Sequence, residues 1–156
     1  MRKPMAGFSL LELLVVILII GLMAGIVGLA QNDSGGQKAR REAERLRNLI
    51  GVLREDAVLN NVSHGLRLEP THYSVLSLDL RGQWQTDKRF TEHRIPDELR
   101  LNLHEPPPQS QSQEPQLRML PDEQISPFRL LLEYRQQPLL SLSSDGVEEV
   151  RLAPAQ

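Results

Sequence analysis

Residues 8–30 form an almost unbroken apolar run in which Ser9 and Glu12 are the only clearly polar side chains. Roughly 23 residues of helix, rising about 1.5 Å each, extend about 34 Å, which is enough to cross the hydrocarbon core of a bilayer. A buried helix of that length is out of proportion to a soluble core in a chain of 156 residues. The run therefore predicts a membrane-spanning or assembly stem. Only the short polar segment 1–7, with Arg2 and Lys3, precedes it. The mean hydropathy of −0.33 conceals this division, because nearly all the strong hydrophobicity lies in that one block.

Beyond the run the chain changes character. Residues 31–37 (QNDSGGQ) are polar and contain Gly35-Gly36, which predicts a kink, a loop or a locally melted helix. From Lys38 a helical period resumes. Ala39, Ala43, Leu46, Ile50, Leu53 and Ala57 fall at alternating spacings of four and three, forming one apolar stripe. Arg40, Arg41, Glu42, Glu44, Arg45, Arg47, Arg54 and Glu55 read as the solvated remainder. Asn60-Asn61 and Gly65 predict the helix end.

The period then shortens to two. Leu66 and Leu68 alternate with Arg67 and Glu69. Tyr73, Val75 (or Leu76), Leu78 and Leu80 make a second strand-like run, ended by Gly82. Leu99, Leu101 and Leu103 make a third, and residues 128–134 a fourth. Residues 105–116 (EPPPQSQSQEPQ) predict an exposed, mobile loop. Ser144-Asp145-Gly146, between apolar runs at 139–142 and 147–152, predicts a hairpin. The expected fold class is α+β: a long N-terminal helix whose outer half packs its stripe on an antiparallel β-domain, and whose inner half has no partner within the chain.

Composition narrows the function. Formal net charge is −2 and aromatic content 4%, neither of which suits a nucleic-acid binder. The absence of cysteine excludes a thiol nucleophile, a thiolate metal site and a disulfide framework, and leaves the compartment open. His64, His72, His93 and His104 are scattered without ligand spacing and read as surface or loop residues. Asp145, Glu148 and Glu149 read as a turn and a solvated strand face rather than a calcium site. Ser143-Ser144-Asp145 is a turn, not a nucleophile elbow, and no Gly-rich phosphate loop is present. No cofactor and no enzymatic activity are expected. An anchored periplasmic enzyme is the different-class alternative.

The chemistry concentrates at Gly7-Phe8-Ser9-Leu10-Leu11-Glu12. A carboxylate in a membrane helix costs about 2.5–3.5 kcal/mol on insertion scales, so Glu12 is either a functional charge or a side chain reaching back to the interface. This hexapeptide with its apolar continuation resembles the signal of type IV prepilins and type II secretion pseudopilins. The resemblance implies cleavage between Gly7 and Phe8 by a prepilin peptidase on the cytoplasmic side, N-methylation of Phe8, and an assembly role for Glu12 within the stem motif Ser9, Leu10 and Leu11. A conventional signal-peptidase site at Gly28-Leu29-Ala30 competes, but the apolar run is too long for an ordinary signal core and contains Glu12. Arg2 and Lys3 favour a cytoplasmic N-terminus; Lys38, Arg40 and Arg41 blunt that asymmetry, and the prepilin motif decides the orientation.

The remainder resembles, more narrowly, the minor pseudopilin H family of the type II secretion pathway. The resemblance rests on Glu42-Ala43-Glu44-Arg45-Leu46, Arg54-Glu55-Asp56-Ala57-Val58, Gly65-Leu66, Tyr73-Ser74-Val75, Pro121-Asp122 and Ser126-Pro127-Phe128-Arg129-Leu130. Glu123 stands where that family commonly has glycine, and residues 81–95 and 105–116 look like variable loops. The implied organisation is a leader at 1–7, a transmembrane assembly helix at 8–30, an amphipathic outer half at 31–61 and a periplasmic β-domain at 62–156. The implied partners are the other minor pseudopilins, the major pseudopilin, the prepilin peptidase and the inner membrane, with direct contact to secreted cargo left open. A minor pilin of a type IV pilus is the alternative within the same superfamily.

Overall fold

The computed structural model describes residues 10–31, 34–104 and 114–155. They form two compact units, divided after Ser34. The first contains α1 (Leu10–Gln31), whose sequence is apolar but for Glu12 in its first turn and Gln31 at its end. Among the residues described in full, no helix is long and apolar enough to cross a membrane. In α1 these are residues 10–21, every one exposed.

The second unit is built on α2 (Ser34–Asn60). Gly35-Gly36 lies in the first turn of this helix. A Cβ on Gly35 would come within 2.8 Å of the Tyr134 ring, so the missing side chain lets that ring lie against the helix. The predicted stripe is the observed one: Ala39, Ala43, Leu46, Ile50, Leu53 and Ala57 are all buried. Full burial of each large member contributes about 1.5–3 kcal/mol. Asn61, with φ +54°, ends the helix in the left-handed conformation, and the Val62 amide donates to the Ala57 carbonyl at 3.2 Å. That is the six-to-one bond of a Schellman cap.

Two antiparallel sheets share the core with α2. The first contains β1 (His64–Leu68), β2 (His72–Leu78), β3 (Trp84–Thr86), β4 (His93–Arg94) and β6 (Leu117–Met119), in the order β3-β2-β1-β6 with β4 also paired to β2. The second runs β5-β7-β8-β9, from β5 (Leu99–His104), β7 (Phe128–Tyr134), β8 (Gln137–Ser144) and β9 (Arg151–Pro154). In β1 the residues His64, Leu66 and Leu68 face inward, opposite Ser77, Val75 and Tyr73 of β2.

Several sequence expectations need correction. Leu80 is not in a strand but fully exposed in the turn after β2. Residues 81–95 are not merely a loop: they supply β3, β4 and the core residue Ile95. Residues 105–113 of the Pro/Gln-rich segment lie outside the described residues, but its end is built into the first sheet. Gln116 receives a hydrogen bond from the Leu68 amide at 2.8 Å and donates to the Leu68 carbonyl at 3.2 Å, copying a strand partner. Pro115 sits where a Cβ on Gly65 would be, at 2.3 Å, so only glycine at 65 permits this contact. The strand expected from Val147 starts only at Arg151. Asp145 receives the amides of Val147 and Glu148 and holds a wider loop between β8 and β9.

The tight turn lies instead between β7 and β8. Arg135 and Gln136 both have positive φ, +50° and +68°, as a type I′ hairpin requires, although neither is Gly or Asn. Glu123 is likewise left-handed, with φ +68°, which gives a physical reason for the glycine common there in the resembled family. Left-handed backbone costs a side-chain-bearing residue about 1–2 kcal/mol. Gln136→Gly is therefore expected to stabilise the fold by about 1 kcal/mol, raising Tm by about 3 °C in a thermal melt.

Candidate assembly site

Of the N-terminal motif, Leu10, Leu11 and Glu12 open α1, and all three are exposed. Gly7, Phe8 and Ser9 lie outside the described residues. A carboxylate in the first helical turn faces the positive end of the helix dipole, worth about 0.3–1 kcal/mol. Nothing else in the first turn of α1 is charged.

The globular unit carries a second charged feature, which sequence reasoning assigned to solvent. Glu42 is buried. It accepts a hydrogen bond from the Tyr73 hydroxyl at 3.1 Å, and His93 Nε2 lies 3.0 and 3.2 Å from its two oxygens. The Tyr73 and His93 rings are in tilted contact, with centroids 5.1 Å apart. Burial, followed by the Glu42 charge, pushes the Tyr73 hydroxyl well above its ordinary range, so it remains a donor. Four turns further along α2, Asp56 Oδ2 lies 2.6 Å from His64 Nε2 and 3.2 Å from Arg89. Arg89 also binds Asp87 at 2.8 Å. His64, read from sequence as a surface residue, is completely buried.

Each of these acids precedes a stripe alanine, Glu42 before Ala43 and Asp56 before Ala57. They flank the apolar stripe and reach the first sheet at two points about 21 Å apart along the helix. The arrangement fixes α2 on the sheet. Among the described residues no group of His, Asp and Glu is placed to hold a metal ion. Arg54 is a third correction. Its guanidinium donates to the carbonyls of Glu123 at 2.8 Å and Val147 at 2.7 Å, tying two loops to the helix.

Glu42→Ala leaves the Tyr73 hydroxyl and His93 without their acceptor and is expected to cost about 1–3 kcal/mol, whereas Glu42→Gln retains most of the stability; denaturant unfolding of both variants measures the difference. The Asp56 and Asp87 cluster should make stability acid-dependent. Burial raises the Asp56 carboxyl, but the His64 and Arg89 hydrogen bonds outweigh it and hold the group below 3.8; Arg89 does the same for Asp87. The native state binds fewer protons than the unfolded chain. The stability these groups supply is therefore complete above their unfolded values and is lost as pH falls through the lower native ones. Asp87→Asn should flatten the stability profile between about pH 4 and pH 2, measured by denaturation at stepped pH.

Comparison with known proteins covers both ends of the chain. Residues 2–28 match the family model of the prokaryotic N-terminal methylation motif. The chain is 39% identical to type II secretion system protein H of Pseudomonas aeruginosa, across 96% of each chain. It is 29% identical to the protein of the same name from Pectobacterium carotovorum, over 88% of this chain and 86% of that one. The fold is similar to the solution structure of E. coli GspH, with a TM-score of 0.67, 21% identity, and coverage of 80% and 94%. It is also similar to the minor pseudopilin EpsH of Vibrio cholerae, with a TM-score of 0.63, 22% identity, and coverage of 77% and 96%. This likeness supports a pilin-like fold, a helix with antiparallel sheets, for this chain. An N-terminal methylation motif, a pilin-like domain and a relative similar over nearly its full length converge on one assignment: the chain belongs to the type II secretion system protein H family.

Proposed function

We propose that this chain is a minor pseudopilin, co-assembling at or near the tip of the short periplasmic fibre of a type II secretion system to support export of folded proteins across the outer membrane. The observation that carries this reading is the 39% identity to type II secretion system protein H across 96% of both chains. The role is structural, not enzymatic. The precursor is inserted in the inner membrane with its N-terminus cytoplasmic, α1 crossing the bilayer and the β-domain in the periplasm. The prepilin peptidase removes residues 1–7 and methylates Phe8. The subunit then leaves the bilayer for the fibre, where α1 packs among the stems of the other minor pseudopilins and the major one.

Deleting the gene in its host tests this reading. Secreted enzymes should accumulate in the periplasm, and the wild-type chain should restore their export. Normal export by the deletion strain, together with loss of surface pili, would move the protein to a pilus system instead.

A further inference from the structure

Helix α2 carries a glycine that its own fold does not use. Gly51 lies in the helix interior, where glycine costs about 1 kcal/mol relative to alanine. A Cβ there would meet nothing within 4 Å among the described residues. The contrast with Gly35 and Gly65 is direct, since their missing side chains make room for Tyr134 and Pro115. Beside Gly51, Val52 and Val58 are 53% and 39% exposed, apolar surface turned outward. All three line a groove of about 690 Å³ between α2 and the loops carrying Glu123 and Glu149. Arg54, itself part of the lining, binds carbonyls of both loops and so ties the two walls of the groove together.

We propose that this groove seats a helix of a neighbouring, different pilin-like subunit, one that presents apolar residues flanked by Lys or Arg. Charge selects the partner. Glu55, Glu123 and Glu149 line the groove, and none makes an ion pair or side-chain hydrogen bond among the described residues; two cations, Arg47 and Arg54, line it with them, and the Arg54 guanidinium is taken up by the Glu123 and Val147 carbonyls. An excess of unpaired carboxylates around an apolar floor complements a basic, apolar segment. Shape selects a helix. From Arg47 to Leu59 the groove follows α2 for about 18 Å, and a bare glycine lets a second helix axis approach closer than the usual separation of about 8–10 Å. The proposal rests on the fibre-subunit reading above and adds the surface through which the β-domain makes contact.

The test uses the full-length chain expressed with the other fibre subunits of its host, carrying a photo-crosslinking amino acid at Val52. The crosslink is expected on a helix of another pilin-like subunit, within a turn of a Lys or Arg. Glu55→Lys should reduce its yield about tenfold. Gly51→Leu should raise Tm, because leucine is the better helix former, and yet reduce the crosslink about tenfold. Crosslinking to a second copy, to a secreted protein or to lipid, or a Gly51→Leu chain that crosslinks like wild type, would overturn the groove proposal while leaving the fibre-subunit reading intact. A wild-type chain absent from the fibre would overturn both.

Discussion

Glu12→Ala should insert and be cleaved like the wild-type chain, but its incorporation into the fibre should fall about tenfold or more. The reason is the cost of the group removed. A carboxylate opposes insertion by about 2.5–3.5 kcal/mol at the centre of a membrane helix and by less near its end, where the dipole of α1 also returns about 0.3–1 kcal/mol. On the proposed reading, the charge becomes useful once leader removal creates an amine on Phe8. In the fibre, Glu12 of one subunit would then face the Phe8 amine of the next in surroundings where opposite charges attract far more strongly than in water. The pair need not be better than an apolar one. A misplaced subunit leaves two charges unpaired in hydrocarbon, so the pair selects axial register. Glu12→Gln keeps the shape without the charge and should fail in the same way. Immunodetection of the chain in sheared fibres measures both, and normal incorporation of either variant would contradict the charge-pairing account.

Gly7→Leu should be equally severe by a different route. A bulky residue before the cut blocks the peptidase, so the protein should run as the uncut precursor, longer by residues 1–7. Such a chain has no amine on Phe8, and its Glu12 keeps the insertion cost without acquiring a partner. Gly7→Leu should therefore match Glu12→Ala in lost incorporation but differ from it in length on a gel. Efficient cleavage of Gly7→Leu would displace the processing site.

The expectations at these two positions rest on a local signal: a short motif set against an apolar run needs no tertiary context. The stripe from Ala39 to Ala57 was legible for the same reason, since helical periodicity alone places its residues on one face. Glu42, Asp56, His64 and Arg54 were not. Each is a polar residue whose burial or engagement depends on partners distant in sequence. Tyr73 lies 31 residues from Glu42, and Glu123 lies 69 from Arg54. Periodicity reports which face of a helix is apolar; it does not report which charges at its margin find a partner. The Arg135-Gln136 turn was missed because it lacks the Gly or Asn that marks positive φ, the sheet on either side over-riding the local preference. Glu123 showed the reverse. Its departure from glycine was visible in the sequence, and only its backbone angle explains what the departure costs.

The most direct test of the central claim is the N-terminal peptide of the wild-type chain, isolated from the membranes of its host and read by mass spectrometry. A peptide beginning at Phe8 and heavier by one methyl group is the predicted result. A chain that still begins at Met1, or one that begins after Ala30, would contradict a prepilin-type subunit.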